Sequence, residues 1–158
     1  MKNPITHIIV HCSDSAWGSA REIRKWHQEK GWKDIGYHFV ILNGMVLPGS
    51  DFMFLNGSIE CGRELDGDAF IEDNEVGAHA LGYNAGSIGI CLVLKRAPTI
   101  EQLEALKKIL LELCRRFKVP VKSVLGHCET ESGKAEGKTC PNFDMEPVRL
   151  WLRGRIEV

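Results

Sequence analysis

The sequence predicts an α/β or α+β fold in which a central mixed β-sheet is flanked by helices. Four runs rich in β-branched and other apolar residues are typical of buried strands, and they occupy residues 5–11, 36–42, 87–93 and 121–125. Three helical patterns lie between and after these runs, at residues 20–30, at residues 100–117 and from Asp144 onward. Alternation of strands with helices favours a sheet that is covered on its faces by helices.

Two of the helical patterns begin with a recognisable cap. Ser19 and Glu22, and again Thr99 and Gln102, have the spacing of a capping box, in which two side chains satisfy the first free amides of a helix. Apolar residues then recur at helical spacing after the second cap, at Leu103, Leu106, Leu110, Leu113 and Phe117. We interpret this stripe as part of the core and not as a surface for a cofactor or partner.

Length and composition are those of one ordinary domain, which we expect to span residues 1–158 as a monomer. Of the 158 residues, 44% are hydrophobic and 26% are charged, and the formal net charge is -1. Such a balance provides no basic field for nucleic acid or an anionic membrane, so we expect neither partner. The N-terminal residues run into a predicted strand without the apolar region of a signal peptide. We therefore expect synthesis in the cytoplasm, with release or export depending on another factor.

The six cysteines do not form an obvious disulfide framework. Cys91 and Cys114 lie inside apolar runs and are typical of small core residues. Cys12 and Cys128 each directly follow a histidine. Without an export signal, reduced thiols or metal ligands are the better interpretation.

Residues 126–144 have no hydrophobic periodicity and are rich in Gly, Thr, Ser and Glu, which predicts an exposed loop. The loop carries His127 at its start and Cys140 near its end, and His11 stands at the end of the first predicted strand. Imidazole and thiolate are ligands that zinc prefers, and three protein ligands with one open position make a catalytic zinc site. Because neighbours on a strand face opposite ways, at most one residue of each His-Cys pair should reach the metal.

An internal repeat relates residues 39–49 to residues 52–62. Phe, Leu, Asn, Gly and the final Gly coincide between the copies, and each copy has an Asn-Gly pair between β-prone runs, which is a strong hairpin signal. Either two hairpins form, or one copy pairs in the sheet while the other forms an appended loop. The acidic, turn-rich residues 63–75 are predicted to be a surface loop.

Six runs together strongly resemble the phage lysozyme-type N-acetylmuramoyl-L-alanine amidases, the amidase family related to peptidoglycan recognition proteins. The runs are HIIVHCS (7–13), REIRKWHQEKGW (21–32), IGYHF (35–39), GAHALGYN (77–84), SIGICL (87–92) and CPNFD (140–144). The resemblance covers nearly the whole chain in order. It implies that His11, His127 and Cys140 bind Zn²⁺, that Tyr37 is the catalytic tyrosine and that Lys138 is the catalytic lysine.

The resemblance also implies the substrate. The family hydrolyses the amide bond between N-acetylmuramic acid and the L-alanine of the peptidoglycan stem peptide, so the expected function is that of an endolysin or of a cell-wall remodelling amidase. His79 and Asn84 lie in a segment that borders the substrate groove of the family, and we expect them to bind substrate. Which of Tyr37 and Lys138 acts as general base stays open at this point.

Two departures from the family pattern affect the surroundings of the site. The duplicated segment adds an insertion at approximately residues 44–56, and the loop between His127 and Lys138 is longer than the pattern requires.

Two other functions compete with catalysis by zinc. One is a peptidoglycan-binding module, although such relatives lack the cysteine ligand. The other is a thiol hydrolase that uses Cys12 or Cys128 as nucleophile.

Overall fold

The computed structural model describes residues 1–156, and these residues form seven strands and four α-helices. In chain order they are β1 (Lys2–Pro4), β2 (His7–Cys12), α1 (Ala20–Glu29), β3 (Phe39–Ile41), β4 (Ile59–Cys61), β5 (Phe70–Glu72), β6 (Ser87–Leu92), α2 (Ile100–Phe117), β7 (Val124–Gly126), α3 (Glu131–Ala135) and α4 (Glu146–Ile156). Within residues 1–156, no helix combines the length and the apolar character that crossing a bilayer requires.

Five strands form a mixed central sheet in the order β4–β3–β6–β2–β7, which confirms the predicted fold class. Strands β3, β6, β2 and β7 run parallel, and β4 pairs antiparallel with β3 at one edge. Strands β1 and β5 form a separate antiparallel pair. Because the parallel strands end at the same edge, the residues at the ends of β2 and β7 are brought together there.

Strand β6 is buried along its whole length at the centre of the sheet. Ile88, Ile90 and Leu92 belong to the larger core cluster beneath α2 and α4, whereas Cys91 belongs to a smaller cluster beneath α1. Successive side chains of a strand point to opposite faces, so an apolar run without alternation is what a strand covered on both sides needs.

Helix α2 has the predicted bounds, and its cap does more than start the helix. The predicted capping box between Thr99 and Gln102 is present. The buried side-chain amide of Gln102 also donates to the carbonyl oxygens of Ile41, at 3.1 Å, and Val93, at 2.8 Å. The start of α2 is therefore fixed to the ends of β3 and β6 by hydrogen bonds as well as by packing.

The prediction that residues 126–144 form only a loop is wrong in part. His127–Glu129 form a 3₁₀ turn and α3 follows it. Thr130 caps α3, since its Oγ1 accepts from the Gly133 amide at 3.0 Å and donates to the His127 carbonyl at 2.7 Å. A helix of five residues is too short to produce a hydrophobic period.

The prediction that residues 63–75 form a surface loop is also wrong in part. Strand β5 lies in this segment, and Ile71 on it is fully buried. Glu75 is buried as well, and its carboxylate accepts from the main-chain amides of Asp66 and Glu72. Its charge is thus satisfied by the backbone of its own loop.

The repeat resolves into one strand pair and one appended segment. Strand β3 in the first copy pairs with β4 at the end of the second copy, with Ile41 opposite Ile59. The apolar start of the second copy forms a 3₁₀ turn, Met53–Leu55, instead of a strand. Asn56 holds the appended segment to the start of α2, because its Oδ1 accepts from Thr99 Oγ1 at 2.8 Å.

An ion pair anchors the end of β7, directly before His127. The Arg149 guanidinium from α4 contacts both carboxylate oxygens of Glu129, at 2.7 and 2.8 Å, and the Val124 carbonyl at 3.0 Å. Glu129 Oε2 also accepts from the Gly126 amide at 2.7 Å. Although burial acts to raise the pKa of Glu129, the hydrogen bonds from Arg149 and Gly126 outweigh it and lower that pKa.

Deleting residues 44–56, which joins Asn43 directly to Gly57, should leave a folded chain. The Leu42 amide already donates to the Ser58 carbonyl at 2.9 Å, so the ends lie together, and Asn-Gly is suited to a tight hairpin turn. Circular dichroism and urea unfolding test this. Deletion of residues 59–61 is the control, since it removes β4 and should abolish cooperative unfolding. Loss of cooperative unfolding in the first variant would make the segment part of the core.

Replacing Glu129 with Gln should destabilise the chain by about 1–3 kcal/mol at neutral pH, because a charge-assisted pair becomes a neutral contact. The folded-state pKa of Glu129 is lowered, so its contribution is present above the ordinary value of 4.5 and is lost as the pH falls through the folded value. The stability difference between Glu129→Gln and the parent should therefore shrink in acid, as measured by urea unfolding across pH. The exposed Glu146→Gln is the control; an equal effect there would contradict a specific role for Glu129.

Candidate active site

Three side chains with metal-binding atoms meet at the edge where β2 and β7 end. His11 lies near the end of β2, His127 directly follows β7, and Cys140 follows α3. One potential ligand atom from each lies within 4.8 Å of the other two. His11 is 1% exposed, whereas His127 and Cys140 are only partly buried, so the cluster opens to solvent on one side.

The cysteines next to the two histidines support this cluster through their main chains. The Cys12 amide donates to Cys140 Sγ at 3.1 Å, and the Cys128 amide donates to the Cys140 carbonyl at 2.8 Å. In each His-Cys pair the histidine therefore contributes its ring and the cysteine contributes its amide. Burial raises the pKa of the Cys128 thiol, which disfavours it as a nucleophile.

A cavity of about 410 Å³ lies in front of the cluster. Six of the seven predicted site residues line it, namely His11, Tyr37, His79, His127, Lys138 and Cys140. A second cavity, of about 490 Å³, lies against α2. Among the residues that the structure describes, none of the predicted site residues lines it.

Tyr37 and Lys138 flank the cluster. The Tyr37 ring centroid lies 5.1 Å from that of His11, and burial raises the pKa of its phenol well above the ordinary value. Lys138 is half-exposed and its ammonium lies 3.3 Å from a Glu136 carboxylate oxygen. Burial lowers the pKa of His127, and the Lys138 charge lowers it further. Tyr37 is thus a neutral hydrogen-bond donor, and Lys138 is a cation beside the cluster.

His79 and Asn84 occupy different positions from each other. His79 lines the cavity, and its Nδ1 lies 2.9 Å from His11 Nε2. Burial, followed by the neighbouring His38, lowers the pKa of His79 to about 3, so its ring is neutral. Asn84 Oδ1 accepts from the main-chain amides of His79, at 2.8 Å, and Ala80, at 2.9 Å. Asn84 therefore orients the loop that carries His79, and substrate contact by either residue stays a prediction.

His27 and Trp32 line the cavity although sequence reasoning did not select them. His27 lies on α1, and its side chain is buried. Its Nδ1 accepts from the Gly36 amide at 2.9 Å, and its ring centroid lies 4.5 Å from that of Trp32. A signal was available, because His27 lies four positions after Ile23 and therefore on the same inward face of α1.

The donor set of the cluster fits a zinc ion. Two imidazoles and one thiol match zinc in ligand type and number, with a fourth position left for water or substrate. Zinc–nitrogen and zinc–sulfur bonds in a tetrahedral site separate the donor atoms by roughly 3.4–3.6 Å. Since the three donor atoms already lie within 4.8 Å of one another, His11, His127 and Cys140 could hold a metal after small side-chain adjustments.

Known proteins match almost the whole chain. A model of the Amidase_2 family, described as N-acetylmuramoyl-L-alanine amidase, matches residues 1–143. The endolysin of Klebsiella phage KP32 is 33% identical over 162 aligned positions, which cover 96% of this chain and 88% of that protein. The endolysin of Escherichia phage T7 is also 33% identical, over 94% of this chain and 87% of that protein.

A solved structure shares the fold. The N-acetylmuramoyl-L-alanine amidase LysC from Clostridium intestinale URNW matches with a TM-score of 0.70 and 24% identity, over 99% of this chain and 87% of that chain. The family model and the phage relatives extend over the elements that carry all three candidate ligands. The chain therefore belongs to the N-acetylmuramoyl-L-alanine amidase family.

Proposed function

We propose that the protein is a zinc-dependent amidase that hydrolyses the bond between N-acetylmuramic acid and the L-alanine of peptidoglycan. The observation that carries this proposal is the convergence of His11, His127 and Cys140 in a cavity that Tyr37 and Lys138 also line, in a chain of the amidase family. The related phage proteins are named endolysins, which supports the bacterial cell wall as the place of action. We expect the protein to act there as a monomer, after release or export by another factor.

The reaction requires activation of both the scissile carbonyl and the attacking water, because an amide is a poor electrophile and water is a poor nucleophile at neutral pH. A zinc ion held by His11, His127 and Cys140 would polarise the scissile carbonyl and lower the pKa of a bound water to about 7. The buried imidazole of His11 is neutral, since burial and the neighbouring His79 and His127 lower its pKa. In the metal-free chain the neighbouring Cys12 thiol, followed by burial, raises the pKa of the Cys140 thiol. A bound metal ion would favour the thiolate that coordination requires, and the Cys12 amide, which donates to Cys140 Sγ at 3.1 Å, would act in the same direction.

Lys138 and Tyr37 supply the remaining polar contacts. The Lys138 ammonium, next to His127 on the rim of the cavity, would stabilise the negative charge that develops on the carbonyl oxygen. Burial favours the protonated phenol of Tyr37, so we assign its Oη the role of a hydrogen-bond donor that orients the attacking water or the carbonyl oxygen. Tyr37 is held in place because its carbonyl accepts from the Arg63 amide at 2.8 Å.

Digestion of purified peptidoglycan tests the activity directly. An amidase releases new amino termini from the stem peptide, whereas a glycosidase releases new reducing sugars. We expect amino termini without reducing sugars, and loss of both release and zinc after treatment with a chelator. Activity that survives chelation would favour the thiol hydrolase, and binding without any release would favour the peptidoglycan-binding module.

Zinc content should depend on Cys140 and not on Cys128. The parent chain should contain one zinc ion, Cys140→Ser should lose most of it, and Cys128→Ser should keep it, because Cys128 contributes only its main-chain amide to the cluster. Elemental analysis of the purified proteins measures this. Equal loss in both variants, or loss only in Cys128→Ser, would overturn the ligand assignment.

Tyr37→Phe and Lys138→Ala should each lower turnover by about 100-fold or more, because each removes a donor to the reacting atoms. Zinc content and the free energy of unfolding should change little, since neither residue is a proposed ligand. Initial rates of amino-terminus release measure the effect. Tyr83→Phe and Lys134→Ala are matched controls outside the cavity lining, and a comparable loss in either control would argue against specific roles for Tyr37 and Lys138.

A further inference from the structure

His79 makes a contact that binding of substrate does not explain. Its Nδ1 lies 2.9 Å from Nε2 of His11, and its Nε2 lies 3.4 Å from the hydroxyl of Ser87. The side chain is buried, and both of its ring nitrogens face protein atoms. Whatever contact His79 makes with a substrate, its two ring nitrogens are placed to hydrogen-bond with His11 and Ser87.

The direction of these hydrogen bonds follows from the chemistry of a ligand histidine. A neutral imidazole carries one proton, so one ring nitrogen donates and the other accepts or binds a metal. If His11 contributes Nδ1 to a metal, its Nε2 must carry the proton and donate. The Nδ1 of His79 must then accept, which leaves the proton of His79 on Nε2, directed at Ser87 Oγ. One arrangement of protons satisfies all three side chains.

Packing holds the His79 ring in the position that this arrangement needs. A Cβ atom added to Gly89 of β6 would lie 2.7 Å from Cγ and Cδ2 of His79, and one added to Gly77 would lie 2.7 Å from Cδ2. Two glycines therefore leave the space in which the ring sits. Asn84 fixes the main chain at the same point by accepting from the His79 amide at 2.8 Å.

We propose that His79 is a positioning residue that fixes the tautomer and the ring orientation of His11, so that Nδ1 of His11 is presented to the metal. Metal-binding histidines usually donate their second nitrogen to a carboxylate, a carbonyl or a water. Here the acceptor is a second neutral imidazole, backed by Ser87. The inference rests on the proposed function, because it takes His11 as a zinc ligand.

Two replacements of His79 separate the effect of losing the hydrogen-bond acceptor from the effect of losing side-chain volume. His79→Asn keeps an oxygen acceptor close to the position of Nδ1, whereas His79→Leu keeps apolar volume without an acceptor. The zinc dissociation constant, measured by competition with a chromophoric chelator at neutral pH, should rise by about 10- to 100-fold in His79→Leu. His79→Asn should recover most of the affinity. A role limited to packing predicts the reverse order, because Leu fills the apolar space better than Asn.

His38→Gln is the matched control. His38 is also buried, and its ring centroid lies 5.9 Å from that of His79, but its nitrogens bond to the Glu75 carbonyl and the Gly89 amide. Its replacement should lower the stability of the metal-free chain, measured by urea unfolding, and change zinc affinity by less than about twofold. An equal loss of zinc affinity in His38→Gln would mean that general loosening of this region, and not the hydrogen bond, weakens the site.

A spectroscopic readout makes the test independent of folding losses. In zinc-loaded protein carrying isotopically labelled histidine, long-range proton–nitrogen correlations should show the His11 proton on Nε2, hydrogen-bonded to a nitrogen of His79. The opposite tautomer, or an unchanged zinc affinity in His79→Leu, would overturn the inference while leaving the amidase intact. Failure of the parent chain to bind zinc would instead overturn the proposed function.

Discussion

The parallel pairing of β2 with β7 is the constraint on which the candidate site depends. In this register Val10 lies opposite Gly126, so the next residues along the two strands, His11 and His127, come side by side, with ring centroids 4.7 Å apart. A slip of one residue would turn His11 to the opposite face of the sheet. The Arg149–Glu129 pair at the end of β7 and the buried run of β6 on the other side of β2 both hold this register.

The same register brings several buried imidazole rings together, and their burial keeps these rings neutral. His11, His38 and His79 are buried close together, and burial lowers the pKa of each, to about 4 for His38 and about 3 for His79. Protonated rings at this spacing would repel one another, so each ring is neutral and carries one proton. Hydrogen bonds then determine which of the two ring nitrogens carries that proton. The main chain does this for His38, through the Gly89 amide and the Glu75 carbonyl. For His11 and His79, the hydrogen bond between the two rings determines which nitrogen of each ring carries the proton.

The parts of the fold that the sequence predicts well are those with a repeated physical signal. Helix α2 is found at its full length because a capping box and a long apolar stripe agree, and β6 because an uninterrupted apolar run needs cover on both faces. Helix α3 has too few turns to show a hydrophobic period. Glu75 is buried, although a glutamate in a polar segment is expected at the surface. In such places hydrogen bonds between a side chain and the main chain decide the structure, and hydrophobic periodicity gives no sign of them.

The same distinction explains the predicted site. Ligand chemistry and family resemblance select His11, His127 and Cys140 from the sequence, but the role of His79 toward His11 depends on a contact between residues 68 positions apart. Tyr37 is a further case, since its place depends on main-chain hydrogen bonds to the residues that follow β4. Main-chain amides at the end of β4 bind back to the start of β3: Gly62 donates to His38 and Arg63 donates to Tyr37, each at 2.8 Å. A side chain at Gly62 would collide with the Tyr37 carbonyl, so this close approach requires glycine. We therefore expect Tyr37 to keep its place when the appended segment changes in length, provided that β4 keeps its register with β3.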